Sequence, residues 1–289
     1  MQPELHAWMP VAGRTGSALR SVRPVGGGSI NATAKLQLQD GRTLFCKANS
    51  ALKFPQLLST EAAGLNLIAE QRIIRTPAII DQWEIADMQF LLLEWIEEEA
   101  PGNAYWERFG RALAGLHRRS APAFGGHPDN YMGAVPQSNR STSGWNRFFL
   151  EERLLRAGRL CHEKSLLQTS HLDALAGLEK RLPAVFGSPA PALLHGDLWS
   201  GNLLCAAGGE PVLIDPAVYY GHPAIDLGMT TLFGGFEQRF YDSYNEVAPL
   251  PPNHREQWEL ANLYPLLIHL YLFGRSYLGA IEETLRRYA

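Results

Sequence analysis

The chain has 289 residues, 46% of them hydrophobic and 19% charged, with a formal charge of −3. That is enough for one large domain or two lobes around a cleft, and too near neutral for non-specific attachment to nucleic acid. The start, Met1-Gln2-Pro3-Glu4-Leu5-His6, lacks a signal peptide's basic and apolar segments; the apolar run 263–273 contains His269 and is too short for a bilayer; and Cys46, Cys161 and Cys205 form no Cys-x-x-Cys pair. The expectation is a cytoplasmic chain with no membrane, disulfide or thiolate-zinc role.

Residues 2–9 read as a short helix, and strands follow at 19–25, 30–38 and 43–48, with Asp40-Gly41 turning the last pair. Gly26-Gly27-Gly28 joins the first two. It serves equally as a flexible turn or as backbone N–H groups held close to an anion. It is neither a Walker A loop nor a full Gly-x-Gly-x-x-Gly, since Asn31 takes the third place. Phe45-Cys46-Lys47 puts a cation in an apolar strand, and a helix over 55–71 carries Glu61 among small residues. A solvated edge lysine and a helix charge would read this way; so would a phosphate-holding lysine paired with a glutamate. Thr76-Pro77 ends the helix, and strands at 78–83 and 89–95 complete a small lobe, residues 1–96. The acidic stretch 97–102 reads as a solvated loop or as an interlobe connection offering backbone groups to a nucleobase.

Residues 103–289 read as a larger, helical lobe. A helix over 105–118, capped by Asn103, aligns Trp106, Phe109, Leu113 and Leu116, and ends at His117, a core or capping group. The non-periodic segment 120–144 holds Phe124, Asp129, Asn130, Tyr131, Gln137 and Asn139, which favours an ordered wall beside a substrate. Helices follow at 145–161 and at 169–185, the second broken late by Pro183.

Then comes Leu193-Leu194-His195-Gly196-Asp197-Leu198-Trp199-Ser200-Gly201-Asn202, and a hairpin of 203–206 and 212–214 that delivers Asp215. Acid, amide five residues on, then a second acid is the order of the protein-kinase catalytic loop. One carboxylate meets a substrate hydroxyl, while the amide and the second carboxylate hold magnesium against ATP phosphates. Asp226, among apolar residues, needs buried hydrogen-bond partners, and is assigned with His195 to bracing this loop. Trp199 packs either against the acceptor or in the core. Helices at 238–244, 255–273 (interrupted at Pro265) and 276–287 end the chain.

Over nearly its whole length the sequence resembles the fructosamine kinase family, a branch of the aminoglycoside-phosphotransferase/protein-kinase-like fold. The resemblance lies in Gly26-Gly27-Gly28-Ser29-Ile30-Asn31, Phe45-Cys46-Lys47, Tyr131-Met132-Gly133 with Pro136-Gln137-Ser138-Asn139, and the stretch 193–202. It continues in Asp215-Pro216-Ala217-Val218-Tyr219-Tyr220-Gly221-His222 and Phe233-Gly234-Gly235-Phe236. His-Gly-Asp alone marks only the broad class; its continuation is far more specific. The resemblance implies an α+β, protein-kinase-like two-lobed fold with a small β-rich N-lobe and a larger helical C-lobe. It implies ATP- and magnesium-dependent phosphorylation of the C3 hydroxyl of a small-molecule or protein-bound ketosamine, a sugar–amine adduct that then sheds its sugar.

By this likeness Asp197 is the general base, and Asn202 and Asp215 hold the metal. Gly26, Gly27, Gly28 and Ser29 lie along the nucleotide, Lys47 with its partner Glu61 holds phosphate, Leu93 borders the adenine, and Glu94 and Ile96 offer backbone groups. Ser29 stands where many members carry cysteine, which excludes a disulfide switch there. Gly196 replaces the arginine of protein kinases and no Ala-Pro-Glu follows Asp215, so the site is expected to be active as made. The rivals are a kinase for another hydroxylated metabolite or an aminoglycoside, a nucleotide-binding pseudokinase, and a metal-dependent hydrolase on His195, Asp197 and Asp215, which lacks further ligands.

Overall fold

The run Phe90-Leu91-Leu92-Leu93 is apolar without alternation, the pattern of a strand buried on both faces. In the computed structural model, which describes residues 8–26 and 30–289, it lies inside a five-stranded antiparallel sheet. The strands are β1 (Leu19–Pro24), β2 (Ala32–Leu38), β3 (Thr43–Ser50), β4 (Ile79–Ile85) and β5 (Met88–Glu94), in the order β1-β2-β3-β5-β4. Period two splits the run. Leu91 and Leu93 pack under helix α2 (Leu57–Glu70) with Leu58, Ala62 and Leu65, while Phe90 and Leu92 face Trp8 and Val11 at helix α1 (Met9–Ala12). The expected helix at 2–9 falls mostly outside the described residues; the observed one starts at Met9, with Pro10 in its first turn.

Residues 95–102 carry no regular structure and lie against the helical region, where the Glu99 amide donates to the Cys205 carbonyl (2.8 Å). Helix α3 (Asn103–His117) packs along α9 (Gln238–Val247). The approach is closest at Gly110, where a Cβ would fall 2.2 Å from the Phe240 carbonyl. Between them run hairpin β6–β7 (Asn130–Met132, Val135–Gln137) and α4 (Trp145–Phe148), which leads through a π-helical segment (Phe149–Leu155) into α5 (Arg156–Glu163). Then come α6 (Thr169–Gly177), α7 (Leu182–Phe186), β8 (Ala192–Leu194), hairpin β9–β10 (Leu203–Ala206, Glu210–Leu213), β11 (Tyr219–Gly221) and α8 (Ala224–Met229). Helices α10 (His254–Ala261), α11 (Leu263–Phe273) and α12 (Leu278–Tyr288) close the lobe. No helix of the described residues is long and apolar enough to cross a membrane.

The prolines act differently from the expectation. The last long helix breaks at Asn262, whose side-chain amide donates to the Gly228 carbonyl (3.0 Å), and Pro265 sits in the first turn of α11. There its missing N–H has no intrahelical partner to lose. Pro183 likewise opens α7 rather than breaking a helix, because a 3₁₀ turn at Leu178–Lys180 has already ended α6. Two further features carry no local signal: the pairing of β8 with β11, and the hairpin within 120–144.

Candidate active site

Strands β8 and β11 are three residues each, and the loop leaving β8 is held chiefly by side chains. Gly196 has φ +84°, and a Cβ there would lie 2.1 Å from the Ala217 carbonyl oxygen, so the arginine of protein kinases has no room. Asp226, fully buried on α8, accepts the amides of His195 (2.7 Å) and Gly196 (2.8 Å). It also lies 3.1 Å from His117 Nε2, whose Nδ1 meets the Tyr244 hydroxyl (2.8 Å). Burial pushes this carboxyl upward, but the His117 contact and the backbone donors outweigh it and hold Asp226 below the usual carboxylate value. His195 Nδ1 accepts the Asp197 amide (3.3 Å), and its Nε2–H donates to the Ile214 carbonyl (2.9 Å). Burial keeps that imidazole below its ordinary value, hence neutral. Both ring nitrogens are thus occupied in joining the Asp197 loop to the strand end before Asp215. The Ile214 amide adds a bond to the Asn202 carbonyl (3.1 Å).

Lys47 on β3 is 2% exposed, and its ammonium lies 2.7 Å from Glu61 on α2 and 2.5 Å from Asp215. Burial works against the charge, but the Asp215 and Glu61 carboxylates outweigh it and hold Lys47 above its usual value. Helix α2 reaches this depth because Gly64 lets it approach: a Cβ there would lie 2.6 Å from the Val218 side chain. Asp215 has φ +54°, a left-handed conformation that aspartate tolerates better than most residues. The Asn202 side-chain amide donates to the Asp197 carbonyl (2.8 Å) and carboxylate (3.2 Å). Burial, helped by the Asp215 charge and opposed by Asn202, raises Asp197 to about 7.

Two cavities meet on these groups. The larger, of about 340 Å³, is lined by Gly26, Lys47, Leu93, Glu94 and Ile96 together with Asn202 and Asp215. The smaller, of about 180 Å³, is lined by Glu61, Asn130, Tyr131, Asp197, Ile268 and His269. Asn31, Trp199, Asn202 and Asp215 line both, whereas Asp197 lines only the smaller. Gly27, Gly28 and Ser29 lie outside the described residues. The Glu94 amide already donates to the Ala78 carbonyl (2.9 Å) and its carboxylate pairs with Arg75, so of its backbone groups only the carbonyl is left for a nucleobase. Trp199 stands edge to face with Phe233 (6.0 Å) and covers Gly201, where a Cβ would come within 2.3 Å of the indole. It therefore packs on the protein with one side and lines the cavities with another.

The expected wall at 120–144 divides in two. Asn130 and Tyr131 line the smaller cavity, whereas Phe124 packs into the core against Trp145. Asn130 and the rest clamp the segment after Asp215. Asn130 donates to the Val218 carbonyl (2.9 Å), and Gln137 to Asn130 (2.8 Å) and the Ala217 carbonyl (3.2 Å). Tyr264 donates to Gln137 (2.8 Å). Asp129 accepts the Asn139 amide (2.7 Å), and the buried Arg153 guanidinium holds Ser138 and Asn139 while lying 4.0 Å over the Tyr219 ring. Sequence reasoning missed Asn31, whose side chain accepts from Asn49 (2.7 Å), and passed over His269 as a cavity residue. The one signal for His269 was a polar residue in an otherwise apolar helix.

The sequence model of the fructosamine kinase family matches residues 1–289. A probable ketoamine kinase of Synechocystis sp. is 38% identical over 92% of this chain and 89% of its own length. The chloroplastic protein-ribulosamine 3-kinase of Arabidopsis thaliana is 32% identical over 98% of this chain and 83% of its own. The crystal structure of a putative fructosamine-3-kinase from Thermobifida fusca superposes with a TM-score of 0.86 at 35% identity, covering 96% of this chain and 97% of that one. The fold is protein-kinase-like and α+β, with a sheet-based N-terminal region and a helical C-terminal region. The chain belongs to the fructosamine kinase family and is an ATP-dependent phosphotransferase.

Proposed function

We propose that this chain transfers the γ-phosphate of ATP to the C3 hydroxyl of a ketosamine, free or attached to protein, the step that starts release of the sugar. The division of the two cavities carries the reading. The larger one, beside Lys47, takes the nucleotide; the smaller one, faced by Asp197, takes the acceptor; and Asn202 and Asp215 stand where the two meet. Asp197 orients the acceptor hydroxyl and receives its proton. Lys47, kept cationic by its two carboxylates, pairs with phosphate oxygens. The hairpin of Asn130 and Gln137 fixes the segment just after Asp215, so little reorganisation remains at transfer.

The donor set fits magnesium. The Asn202 amide nitrogen is occupied by Asp197, which leaves its oxygen for a cation, and Asp215 adds a carboxylate. Two hard oxygens suit an ion that takes its remaining ligands from phosphate and water. Magnesium held there neutralises charge on the phosphates.

The test is incubation with ATP, magnesium and a panel of fructosamines and ribulosamines, beside an aminoglycoside and free ketoses, with mass spectrometry of the products. A phosphorylated ketosamine that loses its sugar is the expected result. Phosphorylation of the aminoglycoside with every ketosamine left intact would refute the reading.

A further inference from the structure

We infer, resting on the acceptor assignment above, that the ketosamine nitrogen is bound as the protonated amine on a wall of aromatic rings made by Trp199, Phe233, His269 and Phe273, with the His269 imidazole as its hydrogen-bond acceptor. The rings form a continuous track. Trp199, two residues beyond Asp197, meets Phe233 at 6.0 Å; Phe233 meets His269 at 4.7 Å; and His269 meets Phe273 at 5.4 Å. Trp199, His269 and Phe273 line the same cavity as Asp197, and Phe273 is 52% exposed, so the track runs from the base toward solvent. In a ketosamine the nitrogen sits on C1, two carbons from C3. With the C3 hydroxyl at Asp197, the nitrogen and the carrier beyond it extend along these rings.

His269 is built to accept there. Helix α11 otherwise contains only Leu, Ile, Phe, Tyr and Pro. Nδ1 lies 2.7 Å from the Pro265 carbonyl, and a carbonyl only accepts, so Nδ1 carries the proton and Nε2 keeps a lone pair. No protein donor meets Nε2 among the described residues. Burial holds the imidazole below its ordinary value, which keeps that lone pair free. The electrostatics select the same ligand. Of the carboxylates lining the cavity, Glu61 and Asp215 are already paired with Lys47, which leaves Asp197 to face an ammonium, and no Lys or Arg lines the cavity among the described residues. Aromatic faces attract a cation further. A neutral acceptor gains from neither term.

The experiment compares fructoselysine with its N-formyl counterpart, in which the same nitrogen is a neutral amide, at pH 7 in the wild type, His269→Phe, His269→Gln and Phe273→Ala. The wild type is expected to prefer the amine about tenfold or more in kcat/KM. His269→Phe keeps the ring packing and removes the acceptor. It should raise KM for the amine about tenfold, change KM for the amide much less, and change kcat less than KM. His269→Gln, which retains an oxygen acceptor, should keep part of the preference, and Phe273→Ala, at an exposed position, should weaken the amine more than the amide. If His269→Phe fails to fold, the last two variants decide. Equal use of amine and amide by the wild type, or variants that weaken both alike, would overturn the ammonium site. Failure of the wild type on every ketosamine would instead defeat the proposed function.

Discussion

Asp226→Asn isolates the brace of the catalytic loop. The carboxylate receives three N–H groups, from His195, Gly196 and His117, on two oxygens inside the protein. An amide keeps one oxygen and turns an NH₂ toward a donor. At least one charge-assisted bond is lost, about 1.5–3 kcal/mol, and the opposing N–H left without a partner adds about 1–3 kcal/mol. The expected destabilisation is therefore about 2.5–6 kcal/mol, which spans the range for breaking a buried ionic contact. Because the released amides flank Asp197, kcat should also fall, on the order of tenfold or more. Urea unfolding at pH 7 and steady-state kinetics with a ketosamine measure the two effects. The sign with pH follows from a folded value held below the usual carboxylate one. The stabilisation is full above the unfolded value, about 3.9, and is lost as pH falls through the lower folded value. The gap between wild type and variant should thus persist from pH 7 to about 5 and narrow below about 4. A loss under about 1 kcal/mol with unchanged kcat would refute the brace.

Asp197→Asn should lower kcat on the order of 10²-fold or more while nucleotide binding, followed by fluorescence or calorimetry, survives; near-normal turnover removes Asp197 from its role. Gln137→Leu cuts the clamp on the Ala217 carbonyl and leaves the Tyr264 hydroxyl without its partner. It should cost about 1–3 kcal/mol and raise the magnesium concentration needed for half-maximal rate, a shift that mere destabilisation would not produce. His222 is lowered to about 3 by burial first and by His117 second. A depressed histidine is neutral in the folded state, so stability should fall as pH drops below about 6.5, by up to roughly 1.4 kcal/mol per unit. A His222 resonance titrating near 6.5 by NMR would contradict it.

Spacing within short segments was enough to relate Asp197, Asn202 and Asp215, because a ten-residue motif and one hairpin leave little freedom between them. The strand and helix periods likewise placed Lys47 and Glu61 on adjacent elements. The β-rich N-lobe and helical C-lobe followed from those periods and from the family likeness. Only the tertiary structure decided what surrounds these groups. Asn130 and Gln137 bond carbonyls 88 and 80 residues away, and Asp226 grips amides 31 and 30 residues upstream. Such bonds leave no period in the sequence: the apolar neighbours of Asp226 mark it as a buried brace but do not say which amides it grips, and Asn130 and Gln137 look like any polar residues in a loop. The prolines make the same point: Pro265 and Pro183 mark helix starts here, and which end of a helix a proline serves depends on the neighbour that has already stopped the chain, Asn262 against Gly228 in one case and a 3₁₀ turn in the other. His269 reached the smaller cavity by the same route, through the packing of α11 against Phe233, which in turn meets Trp199.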